Sequence, residues 1–351
     1  MATNKILRAF AALLIAFSVS AVSSCAGSPS ENSDTSQTVT AAPETTQIAT
    51  EVQTTTAPET NAETAATSGA GKVLSDITYK TVGTTELQLD IYNPTVEVDG
   101  KIPVLIYVHG GSWLSGDRSI EGYSTFGTFF DDVRALGVAV VPVSYRLTTS
   151  EITYPAHIND VCDAIRFVVK HADEYNFDTS RIGLIGFSAG GHLSLLAGFC
   201  TTMFGDDPEL AGTDFDVKCV IDFCGPTDFT QLSDYTDDTQ RIYAMALLKG
   251  FLGVPLEGNE QVYAGASPIT YVGKNPDLSL IIFQGKSDEL VPYVQVDRLY
   301  AKCVEAGMDV QYYPVENAMH AFTPFDTTKP ITPTMDEIVS DCIIFIKNKL
   351  L

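Results

Sequence analysis

Basic residues are scarce in this chain: 21 lysines and arginines stand against 44 aspartates and glutamates, for a formal charge of −23. So acidic a surface repels a polyanion and gains nothing from anionic lipid, which excludes nucleic acid as an expected partner. Tryptophan occurs once, at Trp113. Of the seven cysteines, Cys25 stands apart, and Cys162, Cys200, Cys219, Cys224, Cys303 and Cys342 lie inside apolar runs with no metal-ligand spacing among them. Buried free thiols are therefore expected, although an oxidising compartment would permit disulfides, with Cys219 and Cys224 the first pair to inspect. The leading apolar run, Ala9 to Val22, is too short for an ordinary membrane-spanning helix.

A second absence is local. From Ala26 to about Gly71 there is no lysine, arginine, phenylalanine, tryptophan or tyrosine, and the composition is dominated by Thr, Ala, Ser, Glu and Pro. Such a segment has too little apolar surface to offset chain entropy, so residues 25–71 are expected to be a disordered tether. Ahead of it, Lys5 and Arg8, the short apolar run and the small pair Ser23-Ser24 describe a secretory signal over residues 1–24. With a cysteine directly after the small pair, the segment resembles a bacterial lipoprotein signal. That resemblance implies lipidation at Cys25 and an extracytoplasmic, membrane-anchored protein.

Residues 72–351 are long enough for one large domain with a sizeable core. Asp76 to Val82 and Glu86 to Tyr92 alternate around Gly83-Thr84 and read as an antiparallel hairpin. Beyond it, apolar strands (Ile102–Val108, Val138–Val143, the Ile182 run, Val217–Phe223, Leu280–Phe283, Val310–Val315) alternate with helical stretches (Gly127–Leu136, Pro155–Lys170, the Leu193 run, Val294–Cys303, Met335–Leu350). That rhythm predicts an α/β fold, a doubly wound and mostly parallel sheet covered on both faces. Thr227 to about Asn275 breaks it and reads as an insert, either a wall of the ligand site or a passive excursion.

Arg181 to His192 carries the chemistry. An apolar strand runs into Gly186-Phe187-Ser188-Ala189-Gly190 and then into a buried helix, the sharp turn that thrusts a serine hydroxyl outward. A serine needs an imidazole to take its proton and a carboxylate to orient that imidazole. His320 follows a strand in a patternless loop, where a base belongs. His157 and His171 sit near helix ends, suited to capping or solvent, and His192 suits local packing. For the acid, Asp288 on a strand-end turn is preferred to Asp228, with Glu289 as its neighbour. Donors for an oxyanion are expected from Gly110 and Gly111 after the strand ending at Val108, with Ala189 completing the hole and Ser112 a further candidate. Trp113, beside that loop, is a candidate to narrow the acyl side or stack on a sugar, or simply to pack the loop.

His109-Gly110-Gly111-Ser112-Trp113 with Gly116-Asp117, Ser144-Tyr145-Arg146-Leu147, Tyr154-Pro155-Ala156 with Asp160, Gly186 to Gly191, Ser267-Pro268, Asp288 with Val291-Pro292, and His320-Ala321-Phe322 together resemble the alpha/beta-hydrolase superfamily. The likeness is to bacterial feruloyl and acetyl xylan esterase-like enzymes, close to the hormone-sensitive-lipase-like group, over about Asp76 to Leu351. Ser112 departs from relatives that carry a third glycine or an aromatic there. The resemblance implies a serine carboxylesterase with Ser188, Asp288 and His320 as triad and no metal or organic cofactor. It also implies acetyl or feruloyl esters of plant polysaccharide or oligosaccharide as substrates. Arylformamidase-like or peptidase activity and a non-catalytic surface binding module are the alternatives. The membrane is expected as a partner only through the anchor at Cys25.

Overall fold

The computed structural model describes residues 69–120 and 128–351. The expected signal, Cys25 and nearly all of the tether lie outside the described residues. Eight strands form one sheet in the order β1-β2-β4-β3-β5-β6-β7-β8. They are β1 (Val73–Val82), β2 (Thr85–Tyr92), β3 (Ile102–Val108), β4 (Ala139–Val143), β5 (Phe177–Phe187), β6 (Cys219–Phe223), β7 (Ser279–Gly285) and β8 (Val310–Val315). β1 pairs antiparallel with β2 and β2 with β4, whereas every pair from β4 through β3 to β8 is parallel. The α/β class and the antiparallel N-terminal hairpin are thus as the sequence predicts.

The continuous apolar strands have their reason in the core. In β3 every residue is buried, and alternate side chains go to opposite faces: Val104, Ile106 and Val108 join one cluster, Leu105 and Tyr107 the other. Helices α2 (Ala156–Lys170), α3 (Ala189–Phe199) and α6 (Tyr293–Glu305) feed the first cluster with Ile158, Leu193 and Leu299. Helices α1 (Phe129–Ala135) and α7 (Met335–Leu350) cover the other face with Phe129, Val133, Cys342 and Phe345. α7 begins at a capping box in which Thr334 and Glu337 bond reciprocally.

At the hairpin, register shifts in β1 turn two successive residues inward, so that Tyr79 and Lys80 are both buried. The Lys80 ammonium bonds Asp160 at 2.8 Å and Asp163 at 2.7 Å on α2, and also Asp206. Arg146 holds Asp160 in a two-pronged grip, Nε to Oδ2 and Nη2 to Oδ1 at 2.7 Å each. The cluster ties the edge hairpin to the helical layer.

The insert is more ordered than its irregular pattern suggests. It contains α4 (Asp238–Leu252) and α5 (Glu260–Gly265), between β6 and β7. In α4 the Asp237 side chain accepts from the N–H groups of Thr239 and Gln240, and Gly253, at φ +76°, closes the other end. Among the described residues all six cysteines are free, buried thiols, and no helix is long and apolar enough to cross a membrane.

Candidate active site

Parallel strands align their carboxyl ends, and the loops leaving β5, β7 and β8 meet there. Ser188 sits between β5 and α3 at φ 56°, ψ −119°, a backbone conformation that costs energy for any residue with a Cβ. Its N–H donates to Phe223 O at 2.7 Å, and His192 N–H donates to Ser188 O at 3.0 Å. The flanking glycines are obligatory: a Cβ on Gly186 would lie 2.2 Å from Gly190 O, and one on Gly190 2.0 Å from Val108 O. Gly191 packs as tightly on Asp222, a fully buried carboxyl that burial pushes up to about 7.

Ser188 Oγ lies 2.9 Å from His320 Nε2, and His320 Nδ1 lies 2.8 Å from Asp288 Oδ2. Asp288 is itself clamped: Oδ1 accepts from the N–H groups of Leu290 and Val291 at 2.8 Å each, and Oδ2 from Gln284 Nε2 at 2.8 Å. An ionised carboxylate only accepts, so it fixes the imidazole proton on Nδ1 and turns the Nε2 lone pair to the serine. Burial pulls the His320 pKa down, but Asp288 and, behind it, Glu289 reverse this, and the net shift is upward. The protonated base that forms during reaction is thereby stabilised.

Asp228 is elsewhere. Its Oδ1 caps Thr230 and its Oδ2 meets Arg298 at 3.2 Å, so the preference for Asp288 matches the geometry. Two histidines do as read from sequence. His171 pairs with Glu174 near the surface, while His192 is buried, accepts from Trp113 Nε1 at 3.2 Å and donates to Ala266 O at 2.8 Å. His157 does not: it is fully buried, bonded to Thr148 Oγ1 at 2.9 Å and packed on Phe251, because the first turn of α2 points inward where a cap would point out.

The loop after β3 closes over the serine. Gly110 lies too near Phe187 O for a Cβ, at 2.7 Å, and Gly111 adopts φ +109°. His109, neutral because burial lowers it to about 4, donates from Nδ1 to Gly110 O at 2.8 Å. In a trans peptide the N–H points opposite to the C=O, so holding Gly110 O aims the Gly111 N–H the other way. Among the described residues neither Gly111 N–H nor Ala189 N–H has an acceptor, and both are free for a ligand oxygen. Tyr145 braces the arrangement, stacking on His109 at 4.2 Å and donating to His109 O at 2.9 Å.

Ser112 and Trp113 line a cavity of about 40 Å³ with Ser188, His320, Tyr235, Tyr243, Leu247 and Leu248. Trp113 is only 2 % exposed, stacked on Phe251 at 4.1 Å with its N–H taken by His192. Its face is therefore not free to stack on a sugar, and it serves chiefly to pack the loop. The insert walls the site, as one of its two readings allowed, and does so with Tyr243, Leu247 and Leu248 from α4. A larger groove of about 630 Å³ beside β1 and α2 contains none of the triad. Sequence reasoning gave Glu289 and Tyr145 no role of their own and left open whether the insert walls the site. For Tyr145, its place between Ser144 and Arg146 in the resemblance was the available signal.

The fold, with a serine, a histidine and an aspartate brought together at its strand ends, defines an alpha/beta-hydrolase. The BD-FAE family model matches residues 89–303, more than half of the chain, and the chain belongs to that family. The probable carboxylic ester hydrolase LipM of Mycobacterium tuberculosis is 32% identical over 250 residues, 70% of this chain and 56% of LipM. This chain spans a little over half the length of the curated relatives it matches. Among solved structures, a truncated carbohydrate esterase from gut microbiota is 25% identical with a TM-score of 0.62, covering 80% of this chain and 98% of that one. A bifunctional GH43-CE protein of Bacteroides eggerthii is 26% identical with a TM-score of 0.64, over 79% of this chain and 38% of that one.

Proposed function

We propose that the protein is a serine carboxylesterase that removes small acyl groups, acetyl above all, from saccharide esters. The observation that carries the reaction is the unbroken relay from Asp288 through His320 to Ser188 at 2.8 and 2.9 Å. His320 Nε2 takes the Ser188 proton as Oγ attacks the acyl carbon, and the carbonyl oxygen becomes an oxyanion facing the N–H groups of Gly111 and Ala189. Collapse breaks the bond to the alcohol, which leaves with the proton from His320. Water, deprotonated by the same imidazole, then attacks the acyl-enzyme, and the carboxylic acid departs as Ser188 regains its proton. Every step uses this chain's own residues.

The substrate reading rests on two supports. The cavity beside Ser188 is small and walled by Tyr235, Tyr243 and Leu248, which favours a short acyl group such as acetyl. The carbohydrate esterase neighbours supply the alcohol side of the reading. Acetyl and propionyl esters should be turned over much faster than octanoyl or longer ones, with acetate released from acetylated xylan oligomers. A kcat/KM profile peaking at eight carbons or beyond, or no acetate from such oligomers, refutes it. We further propose an extracytoplasmic enzyme anchored by lipid at Cys25, on the strength of the signal pattern ahead of it. Cys25→Ala should then move activity from the membrane fraction to the soluble one.

A further inference from the structure

The turn after β7 presents two neighbouring carboxylates to one histidine. Asp288 takes the His320 side chain, and Glu289 Oε2 accepts the His320 main-chain N–H at 3.1 Å. The same turn is stitched to the His320 loop by Ser287 N–H donating to Ala318 O at 3.0 Å. That loop has backbone strain to hold, since Asn317 and Phe322 both lie at positive φ, 61° and 56°. Without the Glu289 bond, the N–H of a 7 % exposed residue at the bend would lose its acceptor.

We propose that Glu289 is a positioning residue of the triad, holding the His320 backbone so that the imidazole stays between Asp288 and Ser188, and adding a second negative charge to the field that the imidazolium feels. This rests on the triad reading above. The groups facing His320 are Asp288 and Glu289 from the β7 turn, Ser188 from the elbow, the Phe187 ring at 5.6 Å, and Cys224, whose thiol donates to His320 O at 3.4 Å. Cys224 is pushed far up by burial and stays a neutral thiol, so it adds no charge. Among the described residues no lysine or arginine forms an ion pair with Asp288 or Glu289; the nearby Lys286 is engaged with Glu316 at 2.7 Å. The two carboxylates therefore act on the base without a countercharge.

Two substitutions separate the two effects. Glu289→Gln keeps an oxygen that can accept the His320 N–H and removes only the charge, whereas Glu289→Ala removes both. Hydrolysis needs the neutral imidazole, so activity falls as pH drops through the His320 pKa, which two nearby anions hold up. Glu289→Gln should move the acid limb of the kcat/KM profile to lower pH by about 0.5–1 unit, a shift at the low end for a charge this near because Glu289 is partly solvated. Its plateau should stay within a few-fold of the parent. Glu289→Ala should lower kcat by about 10-fold with KM within about 2-fold and move the limb the same way. Imidazole titration of His320 by NMR must show the same displacement, and needs no turnover. An unmoved limb and titration in Glu289→Gln, or parental kcat in a folded Glu289→Ala, overturns the proposal. If the parent protein neither hydrolyses p-nitrophenyl acetate nor is labelled at Ser188 by a fluorophosphonate, the esterase reading fails, while the NMR titration still decides the role of Glu289.

Discussion

Leu248 on α4 is the wall residue whose trimming gives the most quantitative test of the site. It is 4 % exposed and lines the cavity together with Ser188. Leu248→Ala deletes three carbon atoms from a space of about 40 Å³, enough to admit roughly two more methylenes of an acyl chain. Each buried methylene contributes about 0.8 kcal/mol, or a factor of about 4 in kcat/KM, so the butyryl-to-acetyl ratio should rise about 16-fold. The cost is stability, about 2–5 kcal/mol for a leucine cut to alanine in a packed wall, so the variant is assayed well below its melting temperature. Initial rates on p-nitrophenyl acetate, propionate, butyrate and hexanoate measure the profile, and titration with a phosphonate normalises for active enzyme. A butyryl-to-acetyl ratio unchanged within 2-fold in a folded variant would refute α4 as the acyl wall. A shift seen only when the alcohol is varied would assign this cavity to the leaving group.

Ser188→Ala should remain folded and lose on the order of 10³-fold or more in hydrolysis, measured against the parent at equal concentration; near-parental turnover would remove Ser188 from the mechanism. Asp288→Asn should be severe, because an amide has a single acceptor oxygen and its NH2 must then face either His320 Nδ1, forcing the wrong tautomer, or the N–H groups of Leu290 and Val291, whereas Asp228→Asn should change kcat/KM little; the reverse order would move the acid. Lys80→Met leaves Asp160, Asp163 and Asp206 with one cation fewer, an uncompensated buried charge costing about 3–5 kcal/mol, which calorimetry should register as a Tm lower by roughly 10 °C. A Tm within 2 °C of the parent would show the cluster to be dispensable.

The centre of the sheet was readable because its strands are buried on both faces, as in Ile102–Val108, which coincides with β3; Val310–Val315, an edge strand with one buried residue, and Met335–Leu350 coincide with β8 and α7. The elbow was equally plain, since steric demands at Gly186 and Gly190 leave a fixed pattern in the chain. What escaped notice depended on distance in the chain. Glu289 reads as an adjacent acid until the segment between it and His320, 31 positions on, is folded back. His157 reads as a helix-end histidine until Phe251, from the insert, covers it. Trp113 invites a sugar until the same Phe251 stacks on its face. Which residues of the insert form the wall was not legible, because the exposed Ile242 and Met245 blur which side of α4 faces Ser188.

The order of strands across the sheet has a consequence for how the protein comes into being. Ser188 follows β5 near the centre, Asp288 follows β7, and His320 follows β8 at the far edge. The base and its acid therefore belong to the carboxyl-terminal third of the chain, and the serine acquires its partner only when β8 is paired with β7. Until then Ser188 is an ordinary alcohol, so reactivity depends on the sheet being complete out to its edge.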